Sequence, residues 1–131
     1  MELKAGIKGE AKATVSEDNT AIAFGSGSVR VFATPAMIGL MEKASLSSVD
    51  PLLEPGFATV GTKVNIKHLA ATPIGMNVVV NSLLIEVDGK RLVFEVEARD
   101  DVDLIGTGTH ERFIVKLDSF FKRAESKSTK Q

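Results

Sequence analysis

The chain offers few side chains that can act as a base or nucleophile. It contains only two histidines, His68 and His110, and no cysteine. The missing cysteines exclude a thiol nucleophile and a cysteine-ligated zinc site. An imidazole has an ordinary pKa of about 6.5, so it can accept a proton near neutral pH. The two histidines are therefore the first candidates for a general base.

Alternation of apolar and polar residues separates these two histidines. His68 shares a strand face with Val64 and Ile66, which predicts that it points toward the interior at a strand end. The same pattern fits a core histidine that a backbone carbonyl satisfies. His110 falls on the opposite parity from the apolar residues of its strand, which are Phe113, Val115 and Leu117. We therefore expect His110 to point away from the core.

A predicted helix supplies a carboxylate and a hydroxyl. Thr34 and Pro35 suit a helix start, and apolar residues recur at helical spacing over about residues 35–47. Thr34 is a candidate N-cap, but its hydroxyl can also act as a nucleophile if a histidine reaches it. Glu42 fits an exposed helix carboxylate, or a base whose basicity partial desolvation raises.

Neither glycine-rich segment has the features of a phosphate loop. Residues 24–28 and 106–109 lack the Gly-Lys-Ser/Thr sequence, so we expect bulges or mobile loops there. No set of histidines and carboxylates has the spacing of zinc ligands, and we predict no metal site.

The remaining pattern predicts an α+β fold. Strands are expected over residues 10–15, 28–33, 62–68, 76–87 and 91–99, followed by a last strand led in by Gly106 and Gly108. Asp88-Gly89 is a strong hairpin signal between two of these strands. Short turns between consecutive strands favour an antiparallel sheet with one helix packed on it. One helix leaves part of this sheet exposed, which favours dimerisation.

The length and composition are typical of a single globular domain. The 131 residues are 44% apolar and carry a formal charge of -1, which does not favour nucleic acid or an anionic membrane as partner. The start of the chain has no apolar signal segment, so we expect a cytoplasmic protein. Residues 1–121 are expected to form the domain, and the polar residues 122–131 a disordered tail.

Three ordered blocks of sequence resemble one known family. The segments 29–44, 60–75 and 108–113 are similar to the hotdog-fold thioesterases related to fluoroacetyl-CoA thioesterase. The resemblance covers about residues 8–121. It implies a hotdog fold, in which an antiparallel sheet wraps one long helix, and a homodimer or tetramer with sites at a subunit interface. It further implies hydrolysis of an acyl-CoA thioester without a cofactor.

The resemblance also assigns roles to particular residues. The family's catalytic residues match Thr34, Glu42 and His68, and its substrate-binding positions match Gly61 and Arg112. We also expect Thr62 and Phe24 to contact the substrate. Thr34 and Glu42 lie eight residues apart, which is about 12 Å along a helix axis. Either long side chains bridge part of this gap or the groups converge across a dimer.

The segment that precedes the helix departs from the aromatic lid of the fluoroacetyl enzyme. It is rich in glycine and serine, with Phe24 as its one aromatic residue. We therefore expect hydrolysis of short or medium acyl-CoA in general rather than of fluoroacetyl-CoA alone. The alternatives are a non-catalytic acyl-CoA binding protein on the same fold, a hotdog dehydratase and a purely structural dimer.

Overall fold

The computed structural model describes residues 3–129 and contains five strands and three α-helices. The strands are β1 (Lys8–Thr14), β2 (Phe57–His68), β3 (Asn77–Asp88), β4 (Arg91–Arg99) and β5 (Leu104–Lys116). The helices are α1 (Ala21–Phe24), α2 (Thr34–Val49) and α3 (Leu117–Glu125). Short 3-10 turns lie at Glu17–Asn19, Asp50–Leu52 and Ser126–Thr129.

All five strands form one antiparallel sheet in the order β1-β3-β4-β5-β2. β3 and β4 form the predicted hairpin, in which Asp88 pairs with Arg91 and Gly89 has a φ of 60°. The sheet packs on one face of α2, whose buried residues Met37, Met41 and Ala44 join Leu92 and Phe94 in the core. The prediction of an α+β hotdog architecture is therefore confirmed.

Helix α2 begins one residue earlier than predicted, and Thr34 does not cap it. Ala33 occupies the N-cap position, and no side chain caps this end. Pro35 lies in the first turn as expected, because its missing N–H needs no partner there. The Thr34 hydroxyl instead contacts the ring of His68, so the N-cap interpretation of Thr34 was wrong.

The predicted strand over residues 28–33 does not join the sheet. This segment makes only isolated bridges, from Phe32 to Thr20 and from Val31 to Pro73. The short helix α1, which we did not predict, precedes it and ends at Gly25 in the left-handed conformation. The other glycine-rich segment, 106–109, lies within β5 and is not a loop. Gly106 lies there because a Cβ would come within 2.6 Å of the Met37 sulfur.

The buried face of β5 is the opposite of the one predicted. His110 and Arg112 are buried, with relative exposures of 1% and 4%, whereas Phe113 is 41% exposed. The apolar residues 113–115 lie near the end of the strand, where Phe113 is exposed and Ile114 is partly buried against the core. The parity of these apolar residues therefore misassigned the strand's buried face, and the prediction that His110 points away from the core was wrong.

The expected polar tail is helical over part of its length. α3 extends to Glu125, a 3-10 turn follows, and none of their described residues is buried. Residues 130 and 131 of the predicted tail lie outside the described residues. Among residues 3–129, no helix combines the length and apolar character needed to cross a membrane.

Gly9 lies where β1 comes close to α2, and this close packing leads to a stability prediction. A Cβ at Gly9 would overlap the Ala44 carbonyl oxygen and lie 2.9 Å from Ser48 Cβ. We expect Gly9→Ala to lower the free energy of unfolding by about 2 kcal/mol, since overpacking shifts backbone. Gly39→Ala is the matched control, because nothing lies near its Cβ position in the exposed part of α2.

This control should raise the free energy of unfolding by roughly 0.5–1 kcal/mol through helix propensity. Urea unfolding measures both variants under the same conditions. Equal shifts in the same direction would contradict the close packing inferred at Gly9.

Candidate functional site

One candidate pair joins the start of α2 to the end of β2. Thr34 Oγ1 lies 2.7 Å from His68 Nδ1, a hydrogen-bond distance between residues 34 apart in sequence. A threonine hydroxyl can donate to an unprotonated ring nitrogen, which places the proton of a neutral ring on Nε2. Nε2 is buried and has no hydrogen-bond partner within residues 3–129. The ring is therefore arranged to accept a proton at Nδ1, with its second nitrogen still to be satisfied.

The surroundings of His68 favour its neutral form. Burial lowers the pKa of His68 below its ordinary value, and the backbone of Ala70 partly offsets this effect. A neutral imidazole is the form that can take a proton from a hydroxyl. This environment suits a general base that is ready at neutral pH.

The Thr34–His68 pair borders an open cavity of about 360 Å³. The lining residues come from α1, the segment before α2 and the segment after β2: Ala21, Ser26, Val31, Phe32, Thr34, His68, Leu69, Ala70 and Ala71. Phe24, predicted to bind substrate, lies at the end of α1 with half of its side chain exposed and is not part of this lining. The cavity is thus bordered mainly by small and apolar side chains.

Glu42 lies in a second cluster, two turns further along α2. Its Oε2 is 3.8 Å from Arg112 Nη1. A Cβ at Gly61 would come within 2.7 Å of the same Oε2 and within 3.3 Å of Arg112 Nη1. Gly61 therefore leaves the space that the carboxylate occupies. The side chain of Glu42 is partly exposed, at 41%.

A β-bulge shapes the strand beside Glu42. Gly61 pairs with Arg112 and Lys63 with Glu111, so Thr62 is the extra residue of β2. The Thr62 hydroxyl donates to the Glu111 carbonyl. A second cavity of about 280 Å³ lies here and is lined by Ile38, Glu42, Gly61, Thr62, Lys63, Val64 and His110. Thr62 thus lines the cavity of Glu42 rather than that of His68.

Arg112 is a buried cation that several groups hold. Its Nε donates to Thr59 Oγ1 at 2.8 Å, and its Nη2 donates to the Thr59 carbonyl at 2.9 Å. Asp50 accepts a hydrogen bond from the Thr59 hydroxyl at 2.6 Å. Burial lowers the pKa of Arg112, which Asp50 and Glu42 oppose, and an arginine stays charged in proteins. A fixed positive charge therefore faces the Glu42 carboxylate.

His110 completes this cluster, and the sequence analysis missed it. Its Nδ1 is 2.8 Å from the Lys63 carbonyl, and its Nε2 is 3.1 Å from Arg112 Nη1. Burial is the largest cause that lowers the pKa of His110. The signal that could have located it is the alternation of Gly106, Gly108, His110 and Arg112, which places small residues and these two polar residues on the face toward α2.

The chain thus brings Thr34 together with His68, and Glu42 together with Gly61 and Arg112, in separate clusters. Each cluster borders its own cavity. Together they provide a base with a hydroxyl, and a carboxylate with a bound cation.

Comparison with known proteins gives consistent matches. Residues 15–118 match the profile of a family described as fluoroacetyl-CoA-specific thioesterase. Fluoroacetyl-CoA thioesterase of Streptantibioticus cattleyicolor is 46% identical over 98 residues, which cover 75% of this chain and 70% of that protein.

Two solved structures extend the comparison to the fold. A mutant of fluoroacetyl-CoA thioesterase in complex with acetyl-CoA is 37% identical, with a TM-score of 0.90 over 95% of this chain and 98% of that one. A hypothetical protein of Thermus thermophilus, described as a thioesterase superfamily member, is 27% identical, with a TM-score of 0.89 over 99% and 98%.

Proposed function

Because the chain belongs to the family of fluoroacetyl-CoA-specific thioesterases, we propose that it hydrolyses a short or medium acyl-CoA to the free acid and CoA. The observation that carries this proposal is the 2.7 Å contact between Thr34 Oγ1 and His68 Nδ1 beside an open cavity. A hydroxyl paired with a neutral imidazole is suited to attack a thioester carbonyl. The cytoplasm, where acyl-CoA is available, is the proposed location.

The proposed reaction begins with attack by the Thr34 hydroxyl. His68 Nδ1 takes the hydroxyl proton while Oγ1 bonds to the thioester carbonyl carbon. The carbon–sulfur bond then breaks, and the CoA sulfur leaves with the proton that His68 held. A water molecule next attacks the acyl-threonine ester with His68 again as base, which releases the acid and restores the hydroxyl. The two steps sum to hydrolysis of the thioester.

The start of α2 supports stabilisation of the oxyanion. A helix N-terminus presents backbone N–H groups without helical partners and a partial positive charge. Thr34 is the first residue of α2, and no side chain caps this end. The N–H groups of the first turn are therefore proposed to bind the developing negative charge on the thioester oxygen.

The role proposed for Glu42 requires a second copy of the chain. During attack His68 becomes a cation, which a nearby carboxylate would stabilise. Among residues 3–129, Glu42 belongs to the other cluster, and His68 contacts the Thr34 hydroxyl rather than a carboxylate. We therefore assign Glu42 of a second copy as the carboxylate that stabilises the imidazolium.

Strand β2 is the proposed dimer contact. It forms one edge of the sheet, and its residues from Gly61 to Asn65 are exposed. In an antiparallel pairing of two such edges, the part of β2 near Gly61 lies beside the end of β2 of the second copy, which carries His68. Such a homodimer would unite the two clusters twice, with Gly61, Thr62 and Arg112 on the Glu42 side of each substrate site.

Release of free CoA tests the proposed function. The purified protein is incubated with acyl-CoA thioesters from acetyl to decanoyl, and a thiol reagent measures the CoA produced. We expect turnover with short or medium chains. Binding of acyl-CoA without CoA release at any chain length would contradict hydrolysis and favour the non-catalytic alternative.

The lowered pKa of His68 predicts the pH dependence of turnover. The base must be neutral, and we expect burial to outweigh the opposing charge of Glu42 from a second copy, so kcat/KM should be constant near pH 7 and fall only below His68's lowered pKa. The expected decline thus begins at a more acidic pH than an unperturbed histidine, with a pKa of about 6.5, would give. Initial rates between pH 4.5 and 8.5 measure this profile. A decline centred above the ordinary histidine pKa would contradict it.

A further inference from the structure

We propose that His110 is a positioning residue that holds the Arg112 guanidinium, and through it the Glu42 carboxylate, in the orientation that the proposed hydrolysis uses. This inference rests on the proposed function. His110 is 1% exposed and lines the cavity of Glu42. It acts through Arg112 and does not contact the reacting atoms.

The two hydrogen bonds of His110 determine its protonation state. Lys63 offers a carbonyl oxygen, which only accepts, so Nδ1 must carry a proton. Arg112 Nη1 only donates, so Nε2 must be unprotonated. His110 is therefore the neutral Nδ1–H tautomer. An imidazolium would place two donors face to face and leave the buried N–H groups of Arg112 one acceptor short.

The acceptor at Nε2 acts on the guanidinium nitrogen that faces Glu42. Nε and Nη2 of Arg112 are bound by Thr59, and Nη1 lies between His110 Nε2 and Glu42 Oε2. At 3.8 Å the ion pair alone fixes Nη1 loosely, whereas the 3.1 Å contact to His110 gives it a direction. Without this acceptor the charge of the Arg112 guanidinium would remain, but the direction of Nη1 would no longer be fixed.

The donor at Nδ1 connects His110 to the bulge in β2. Lys63 directly follows the extra residue Thr62, so its carbonyl is displaced from the regular ladder. The His110 ring also stacks on Phe94, with centroids 6.4 Å apart and an interplanar angle of 29°. The ring is therefore fixed on both sides and can transmit the position of the bulge to Arg112.

A matched pair of substitutions separates the two hydrogen bonds. In His110→Gln the amide oxygen reaches the former Nε2 position and can still accept from Arg112. In His110→Asn the amide nitrogen replaces Nδ1 and can still donate to Lys63, but the acceptor is lost. Thermal unfolding of both variants controls for folding, since both remove the ring that stacks on Phe94 and their side chains differ by only one methylene group.

We expect His110→Asn to lower kcat for CoA release by on the order of tenfold to 100-fold, with KM within about threefold of the wild-type value. His110→Gln should keep kcat within about threefold, because rescue by the acceptor separates positioning from support of the fold. Equal losses in both variants, normal kcat in His110→Asn, or a loss confined to KM would overturn the proposal.

Nitrogen NMR of the wild-type imidazoles provides a readout that needs no activity. His110 should show the Nδ1–H tautomer at neutral pH, and His68→Ala assigns the signals because the chain has only two histidines. If the protein released no CoA but showed this tautomer, the proposed function would be refuted while the hydrogen bond from Arg112 to His110 would be supported. An Nε2–H tautomer or an imidazolium would overturn the positioning role even in an active enzyme.

Discussion

We expect replacement of His68 with alanine, or of Glu42 with glutamine, to lower kcat for CoA release by on the order of 1000-fold while each variant keeps its fold. The loss follows from the proposed roles, since a positioned base contributes roughly 100- to 10,000-fold to such reactions. Without the imidazole, the Thr34 hydroxyl has no group within hydrogen-bond distance among residues 3–129 to take its proton. Initial rates with the best acyl-CoA substrate measure both losses.

The loss expected for Glu42→Gln has a different cause. Glutamine keeps the size of the side chain but removes the charge that stabilises the imidazolium of His68 and opposes Arg112. Glu54→Gln is the matched control, because it removes an exposed carboxylate from the loop before β2. This control should retain normal kcat. Near-normal kcat in His68→Ala or in Glu42→Gln would remove that residue from the mechanism.

The sequence predicted the elements that local signals define. Pro35 and helical apolar spacing located α2 to within two residues at each end, and Asp88-Gly89 located the hairpin between β3 and β4. These features depend on contacts between near neighbours and on backbone preferences. For the same reason the pattern of β2 identified His68 as a residue that faces partly inward.

The contacts that organise the site were not predictable from such patterns. Thr34 looked like a cap because its partner His68 is distant in sequence, and only the folded sheet brings the two together. The bulge at Thr62 shifts the register between β2 and β5, which alternation within one strand does not reveal. His110 and Arg112 can be buried because their side chains form a hydrogen bond with each other. A prediction that places polar residues outside the core therefore fails for both.

The active site is proposed to form from residues of two copies of the chain. A site composed of His68 from one copy and Glu42 from the other predicts that two inactive chains restore each other. A dimer of one Glu42→Gln chain and one His68→Ala chain has one site with both native residues and one site with neither. Its kcat per dimer should be about half that of the wild type, since one of two symmetric sites works. Each homodimeric variant remains about 1000-fold impaired.

The reciprocal arrangement is the matched control. A chain that carries both substitutions is paired with a wild-type chain, so the number of substituted residues per dimer is unchanged. Each composite site then lacks either His68 or Glu42, and this dimer should be as inactive as the single variants. Sites built within one chain would give the opposite pair of results.

Purification of these two heterodimers through separate affinity tags, followed by measurement of CoA release, tests the shared site most directly. A site shared between two copies predicts about half of wild-type kcat for the dimer with one substitution in each chain, and nearly none for the dimer with both in one chain. The reverse result, with activity only in the latter dimer, would contradict a site shared between two copies.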